Sequence, residues 1–248
     1  MDNSAKPFDG KNALVIGGTG GIGRAIALLL AEKGAGLTLL GGSSQDRLDS
    51  ALEEIRRNGG RAEGFLFKVD MLETPDAAER ILERAPEPDI LVCAWGPFKR
   101  GPLADMTPAD WRDLTLCNLV LPGALVSLTL PAMMHRGFGR ILLFGGTNTD
   151  TIRGFTSTAV YSAAKTALGA LAKSAAREAG PAGVTCNVLC PGLTDTEYLD
   201  GKALAYNAER SPGGKPLTPG DIARAALAIL EHPQINGAVI PVDRGLVI

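Results

Sequence analysis

The sequence predicts an α/β fold, a single doubly wound domain with a parallel, seven-stranded sheet. Short apolar runs alternate along the chain with longer stretches of helical periodicity, a pattern typical of parallel strands joined by crossover helices. The runs are apolar at consecutive positions, as expected of strands that helices cover on both faces. No linker, repeat or low-complexity tract divides the 248 residues. Residues 1–248 are therefore predicted to form one domain.

Seven runs are predicted as strands. In chain order they are residues 13–16, 37–40, 62–68, 90–93, 140–144, 184–189 and 238–242. Each run is followed by a helical pattern or a loop, so the carboxyl ends of the strands are expected to meet at one edge of the sheet.

Composition and charge limit the classes of binding partner that are expected. The chain is 45% hydrophobic and 21% charged, with a formal net charge of -2, which is ordinary for a globular protein. Because no run is rich in Lys and Arg, no nucleic-acid partner is expected. Pro122 and Gly123 interrupt the most apolar region, so no membrane segment is expected.

Location and metal binding are also addressed by the sequence. The amino terminus carries acids beside its bases and lacks the long apolar core of a signal peptide, so a cytoplasmic location is expected. The four cysteines lack paired C-x-x-C spacing and are interpreted as small buried hydrophobic residues rather than metal ligands. No metal is expected.

A glycine-rich turn follows the first predicted strand and opens a helix. Its members predicted to bind a cofactor are Gly17, Thr19, Gly20, Gly21, Ile22 and Gly23. Residues without side chains let the backbone approach a pyrophosphate, whose charge then lies at the positive end of the helix. The alternative is a tight turn without a ligand. The strand before it and the helix after it favour dinucleotide binding.

The end of the second strand bears on which dinucleotide is bound. NAD enzymes usually place a carboxylate here to hold the ribose 2′-hydroxyl, but this chain has no acid before Asp46. Ser43, Ser44 and Arg47 can instead donate hydrogen bonds to a 2′-phosphate, which favours NADP. NAD remains the alternative, because Ser44 and its neighbours could simply cap the following helix.

Tyr161 and Lys165 are the candidate catalytic pair. They lie one turn apart on a predicted helix and therefore on the same face. A phenol with a reference pKa near ~10 transfers protons poorly at neutral pH, and a neighbouring cation favours its anion. The pair predicts a general acid/base with its activator, and Lys165 could also hold the nicotinamide ribose.

Asn118 is a third candidate. In a helix its carbonyl would normally accept the N–H four positions later, but that position is Pro122, which has none. A kink with an unpaired acceptor for a water molecule is therefore predicted. The alternative is a helix that simply ends at Asn118.

These motifs resemble, in order and spacing, the classical short-chain dehydrogenase/reductase family, including its 3-oxoacyl-carrier-protein-reductase-like members. The resemblance rests on the glycine-rich turn, Asp70, Asn118, Tyr161, Lys165 and the stretches 187–192 and 236–243. It implies an NAD(P)-binding Rossmann domain that assembles as a homotetramer or homodimer. It also implies that Asn118 holds a proton-relay water.

The resemblance assigns further cofactor contacts. Asp70 and the backbone of Met71 are expected to hold the adenine, and Pro191 and Gly192 the nicotinamide amide. Thr194 or Thr196 is expected near the pyrophosphate. After the fourth strand, Cys93, Ala94, Trp95 and Gly96 stand where the family has N-N-A-G, and of that motif only the glycine remains; Ala94, Trp95 and Gly96 are expected to contact the cofactor.

The family's catalytic serine is missing. Aligned from the fifth strand its position holds Gly146, and counted back from Tyr161 it holds Asn148. Thr147 is the nearest hydroxyl and Asn148 the nearest amide, so both are candidates for polarising a substrate carbonyl.

The expected function is hydride exchange between the dinucleotide and a small carbonyl or alcohol. The alternative, motivated by the missing serine, is a catalytically silent dinucleotide-binding sensor or oligomeric partner. The substrate pocket is expected to include Trp95, Pro97, Phe98, Thr147, Asn148, Phe155 and residues 197–216.

Overall fold

The structure is a computed structural model that describes residues 6–67, 76–85, 87–199 and 201–246. The expected adenine contacts at Asp70 and Met71, and the end of the third predicted strand at residue 68, lie outside the described residues.

Seven parallel strands form one sheet. They are β1 (Asn12–Ile16), β2 (Gly36–Gly41), β3 (Arg61–Leu66), β4 (Ile90–Cys93), β5 (Gly139–Phe144), β6 (Val184–Pro191) and β7 (Val239–Val242). The spatial order is β3-β2-β1-β4-β5-β6-β7. The predicted fold class and all seven strands are confirmed, with ends that shift by one or two residues. β6 continues to Pro191 because it pairs there with Val242 of β7.

Helices cover both faces of the sheet. They are α1 (Gly21–Glu32), α2 (Gln45–Arg57), α3 (Ala77–Arg84), α4 (Pro108–Thr115), α5 (Leu121–Arg136), α6 (Ala159–Ala179), α7 (Gly201–Arg210) and α8 (Pro219–Glu231). Buried side chains such as Ile26 of α1 and Ile222 of α8 pack on one face. Ile81 of α3, Leu125 of α5 and Leu168 of α6 pack on the other. This double covering explains why the strands are apolar at consecutive positions.

The topology places a cleft between β1 and β4. The chain crosses from β3 at one edge to β4 beside β1, so the strand order reverses at this point. In open α/β sheets ligands bind outside the carboxyl ends of the strands at such a reversal. The loops that follow β1 and β4 carry the glycine-rich turn and the stretch 94–96.

The helix does not end at Asn118 but widens there into a π-helical turn. A π-helical turn spans Leu116–Val120 and joins α4 to α5, and the Leu121 N–H donates to the Leu116 carbonyl five residues back. The wider turn accommodates Pro122, which has no N–H to donate. The predicted interruption is present as a π turn, and the alternative of a helix end at Asn118 is wrong.

The continuous helical run bears on the membrane expectation. Within the described ranges, Pro108–Arg136 is long and apolar enough to cross a membrane by length and composition, with a hydropathy of 1.7 and half of its most apolar window buried. Pro122 and Gly123 therefore do not end the helix, contrary to the sequence reasoning. A core helix packed on a sheet meets the same criteria, so this run is not an argument for a membrane segment.

Candidate active site

The glycine-rich turn between β1 and α1 leaves no room for side chains. Gly17 has a φ of 81°, in the left-handed region, and a Cβ there would lie 2.8 Å from the Cβ of Trp95. A Cβ on Gly23 would collide with the carbonyl of Gly17. The turn is therefore closed by backbone packing, and the amino end of α1 faces an open groove.

A carboxylate occupies part of that helix end. The backbone N–H of Gly21 donates to Oε1 of Glu197 over 2.8 Å, and the hydroxyl of Tyr198 lies against Gly20. The guanidinium of Arg47 lies 4.7 Å from the centre of the Tyr198 ring. An anionic oxygen thus sits where the positive end of a helix favours negative charge. Sequence reasoning assigned Glu197 and Tyr198 only to the substrate pocket.

The groove itself is a cavity of about 480 Å³ at the carboxyl ends of β1, β2 and β4. It is lined by Gly17, Thr19, Gly20, Gly21, Ile22, Gly42, Ser43, Ser44, Arg47, Ala94, Trp95, Gly96, Thr196 and Tyr198. Among these described residues none is acidic. The arrangement fits a dinucleotide, because the bare backbone cradle, the helix end and the donors at the end of β2 lie in one groove.

Ser44 has the capping role that the sequence left open. Its side chain accepts the N–H of Arg47 over 3.3 Å and begins α2. Ser44 also lines the groove beside Ser43, and a hydroxyl that accepts one hydrogen bond can still donate another, so capping and phosphate binding are compatible.

Tyr161 and Lys165 lie in the first turns of α6. The Nζ of Lys165 is 5.8 Å from the centre of the Tyr161 ring. Phe98 packs edge-on against that ring, with 4.9 Å between centroids. Lys165 is only 4% exposed. The predicted pair is therefore assembled on one face of the helix, with its ammonium enclosed.

Burial sets the protonation of this pair. It raises the pKa of Tyr161 to about 12 and lowers the pKa of Lys165 to about 8. The expectation that Lys165 would lower the Tyr161 pKa is not met, since desolvation of the phenolate is the largest effect. At neutral pH Tyr161 is a phenol with a proton to give, and Lys165 carries its charge.

The Asn118 side chain reaches the same point. Its Nδ2 donates to the carbonyls of Pro97 and Leu114, each over 2.9 Å, which fixes the amide orientation. Its buried Oδ1 has no partner. A Cβ on Gly96 would collide with this oxygen and lie 3.3 Å from Nζ of Lys165. An unpaired acceptor thus lies near the ammonium, and a side chain at position 96 would fill the space between them.

The loop after β5 replaces the family's serine with a turn. Thr149 closes it by donating its N–H to the Gly146 carbonyl, and Asn148 has a φ of 61°. A Cβ on Gly146 would lie 2.8 Å from Cε1 and 3.1 Å from Oη of Tyr161, so this position directly underlies the phenol. The Thr147 hydroxyl donates to the Pro191 carbonyl over 3.0 Å. Its proton is thereby engaged, which leaves the Asn148 amide as the available donor.

Two further cavities open on Tyr161. One of about 700 Å³ continues from the groove through Ile22 and Thr196 and is also lined by Phe98, Arg100, Gly146, Thr147, Tyr161, Pro191, Gly192, Leu193, Thr194, Leu199, Lys202, Ala203, Tyr206 and Asn207. The other, of about 420 Å³, is lined by Phe98, Arg100, Thr147, Asn148, Arg153, Gly154, Phe155, Thr156, Ser157, Thr158, Tyr161, Ser162, Leu193 and Tyr206. Tyr161 therefore faces a continuous space that runs from the glycine-rich turn to the loop after β5.

Most of the residues expected to bind the cofactor line the groove or the adjoining cavity beside Tyr161. Pro191, Gly192, Thr194 and Thr196 line the space beside Tyr161, and Thr194 donates its hydroxyl to the Gly192 carbonyl over 2.9 Å. Gly23, Asn118 and Lys165 do not line the groove or the larger cavity, and Asn118 and Lys165 are buried. Trp95 lines the groove but neither of the two cavities that open on Tyr161.

The four cysteines match the interpretation of them as small buried residues. All four cysteines are buried and unpaired. Burial raises the pKa of Cys93 to about 12 and that of Cys190 to about 11, so these thiols beside Lys165 stay protonated. In the described part of the chain no cluster of His, Cys, Asp and Glu could hold a metal ion.

Comparison with known proteins decides the family. The family model "short chain dehydrogenase" matches residues 11–206. The chain belongs to the short-chain dehydrogenase family. It is therefore an oxidoreductase acting on CH–OH or C=O groups, as named members of the family are.

Three proteins illustrate the similarity. The 2-dehydro-3-deoxy-D-gluconate 5-dehydrogenase of Formosa agariphila is 32% identical over 246 residues, covering 96% of this chain and 92% of that protein. The 3-oxoacyl-[acyl-carrier-protein] reductase of Escherichia coli is 32% identical, covering 96% and 98%. A solved 3-oxoacyl (acyl-carrier-protein) reductase of Agrobacterium tumefaciens with NADP bound has a TM-score of 0.87 at 27% identity, covering 99% and 97%.

Proposed function

We propose that this short-chain dehydrogenase is an NADP-dependent reductase of a small carbonyl compound, with Tyr161 as the general acid. The observation that carries the proposal is the position of Tyr161 and Lys165, which lie where the groove at the glycine-rich turn meets the cavities beside Phe98. A bound nicotinamide supplies a hydride to the carbonyl carbon or takes one from the alcohol.

The chain's own residues manage the proton. As the hydride reaches the carbonyl carbon, Tyr161 Oη gives its proton to the carbonyl oxygen and becomes a phenolate. The Lys165 ammonium stabilises that anion, and its surroundings exclude water, which strengthens the interaction. The unpaired Oδ1 of Asn118 faces Lys165 and can hold a water that returns the proton.

Asn148 is proposed to replace the missing serine. Its amide can donate to the substrate oxygen from the cavity that it shares with Tyr161. Loss of one preorganised donor typically lowers the rate by about 10² to 10³. A slow but active enzyme therefore fits the sequence better than a silent one, since the chain keeps Tyr161, Lys165 and Asn118.

The choice of NADP rests on the end of β2. Ser43, Ser44 and Arg47 line the groove there, and a guanidinium beside two hydroxyls suits a 2′-phosphate. The NADP bound to the solved Agrobacterium reductase supports this choice.

The Glu197 carboxylate predicts a measurable effect on NADP binding. A pyrophosphate and this carboxylate would compete for the Gly21 N–H, and two anions repel each other at one helix end. We expect Glu197→Gln to lower the Kd of NADP by about three- to tenfold, measured by isothermal titration calorimetry. Glu32→Gln, at the exposed far end of α1, is the matched control and should leave the Kd unchanged. Weaker NADP binding in Glu197→Gln would show that the carboxylate assists the cofactor instead.

Turnover tests the proposal directly. The chain is assayed with NADPH and NADH, following absorbance at 340 nm, against ketones, diketones, keto acids and acyl thioesters. We expect oxidation of NADPH by at least one class and slower oxidation of NADH. Binding of NADPH without oxidation by any class would favour the silent dinucleotide-binding protein.

Location and assembly complete the proposal. We propose that the protein is cytoplasmic and that it forms a homodimer or homotetramer, the assembly that the resemblance implies. The exposed apolar side chains of Trp111, Val120 and Leu128 lie on the helical run α4–α5 and support self-association along it.

A further inference from the structure

The cavities beside Tyr161 carry positive charge without acids. Arg100 lines both cavities, Arg153 lines the smaller one and Lys202 the larger one. Among the described residues of both linings there is no Asp or Glu. The chain as a whole has more acids than bases, with 27 against 25, so this imbalance is local.

Several other arginines of the chain form ion pairs with carboxylates. Arg24 pairs with Glu54, Arg136 with Asp89 and Arg224 with Asp221. In the part of the chain that the structure describes, no ion pair involves Arg100 or Arg153. Their charge is therefore available to a ligand.

Two aromatic rings flank the guanidinium of Arg100, which is exposed. Its guanidinium carbon lies 5.5 Å from the centre of the Phe98 ring and 5.6 Å from that of Tyr206. Phe98 in turn packs on Tyr161 with 4.9 Å between centroids. One apolar ring thus separates the proton donor from a guanidinium that is oriented by its neighbours rather than by a carboxylate.

We propose that the substrate carries an anionic oxygen group, a carboxylate or a phosphate, that Arg100 binds while the carbonyl lies at Tyr161. This inference rests on the proposed function and specifies its substrate class. A guanidinium donates two parallel hydrogen bonds to such a group, and a concave site of one charge sign raises the local concentration of the opposite ion. The ring of Phe98 covers the carbon chain between the two ends.

Matched substrate pairs test the inference by turnover. The pairs are 4-oxopentanoate with its methyl ester, and dihydroxyacetone phosphate with dihydroxyacetone, each assayed with NADPH. We expect kcat/KM to be at least about tenfold higher for the anionic member of one pair, and the pair that shows it distinguishes carboxylate from phosphate. Equal rates within both pairs would overturn the inference while leaving the proposed function intact.

A variant locates the effect. Arg100→Gln should bring the ratio of anionic to neutral kcat/KM close to one. Arg177→Gln removes the same charge from an exposed position at the opposite end of α6 and should keep the ratio. A ratio that survives in Arg100→Gln would contradict the assignment.

Binding provides a readout that needs no turnover. The NADP-loaded protein is titrated with pentanoate, inorganic phosphate and the neutral pentanamide by ligand-observed NMR. We expect pentanoate or inorganic phosphate to bind at least about tenfold more tightly than pentanamide. Arg100→Gln should abolish this difference. Such binding, together with no oxidation of NADPH by any class of carbonyl compound, would support the anion site and contradict the proposed function. Pentanoate and phosphate binding no tighter than pentanamide would overturn the anion site.

Discussion

Tyr161→Phe is expected to lower kcat/KM for carbonyl reduction by about 10²- to 10⁴-fold while the Kd of NADPH changes little. The substitution removes only the hydroxyl that gives its proton to the substrate oxygen. The ring still fills the space beside Phe98 and Gly146, so the fold and the groove are preserved. Steady-state NADPH oxidation and a fluorescence titration of NADPH measure the two quantities separately.

Tyr198→Phe is the matched control. It also removes a phenolic hydroxyl next to the nucleotide groove, but at Gly20 rather than at the end where Tyr161 lies. Its effect should fall on NADPH binding and leave kcat within a few-fold of the wild type. A Tyr161→Phe variant with the wild-type rate would show that the proton comes from another group.

Lys165→Met is expected to make a less active and more stable protein. Methionine fills a similar volume without charge, and an ammonium that is 4% exposed disfavours folding. Because burial lowers the Lys165 pKa from 10.5 to about 8, the folded state binds fewer protons than the unfolded state between these values. The free energy of unfolding therefore rises with pH across this window in the wild type, and below it the full penalty applies.

The lowered pKa of Lys165 sets the expected effect of Lys165→Met on stability and activity. We expect Lys165→Met to raise the free energy of unfolding at pH 7 by about 1 to 4 kcal/mol and to lower kcat/KM by at least about 10²-fold. Wild-type reduction should fall above pH 8 as the ammonium is lost, and urea unfolding at pH 7 to 9 should show the stability rise in the wild type but not in Lys165→Met. Lys173→Met, on the exposed face of α6, should match the wild type in both. Full activity in Lys165→Met would refute its role.

The sequence predicts the features that depend on neighbours along the chain. The glycine-rich turn lies between one strand and one helix, and Tyr161 and Lys165 lie on one helix, so spacing alone brings their backbones together. Pro122 similarly predicts that the helix cannot continue unchanged at Asn118, since the missing N–H is a local fact. Each of these is found in the structure.

Contacts between distant segments could not be predicted in this way. Glu197 meets Gly21 across 176 positions, and no local pattern indicates that bond. Arg100 lies in a loop after β4, and its contact with Tyr206 of α7 joins segments that are far apart in the sequence. The prediction of a lowered Tyr161 pKa is wrong for a related reason, since burial by surrounding segments raises that pKa.

A crystal structure of the NADP complex with a substrate analogue tests the central claim most directly. We expect the reacting carbon of the analogue near the nicotinamide and its oxygen within ~3.5 Å of Tyr161 Oη, with Lys165 Nζ directed to the same site. A nicotinamide placed away from Tyr161 and Lys165, with neither side chain facing the analogue, would contradict the account.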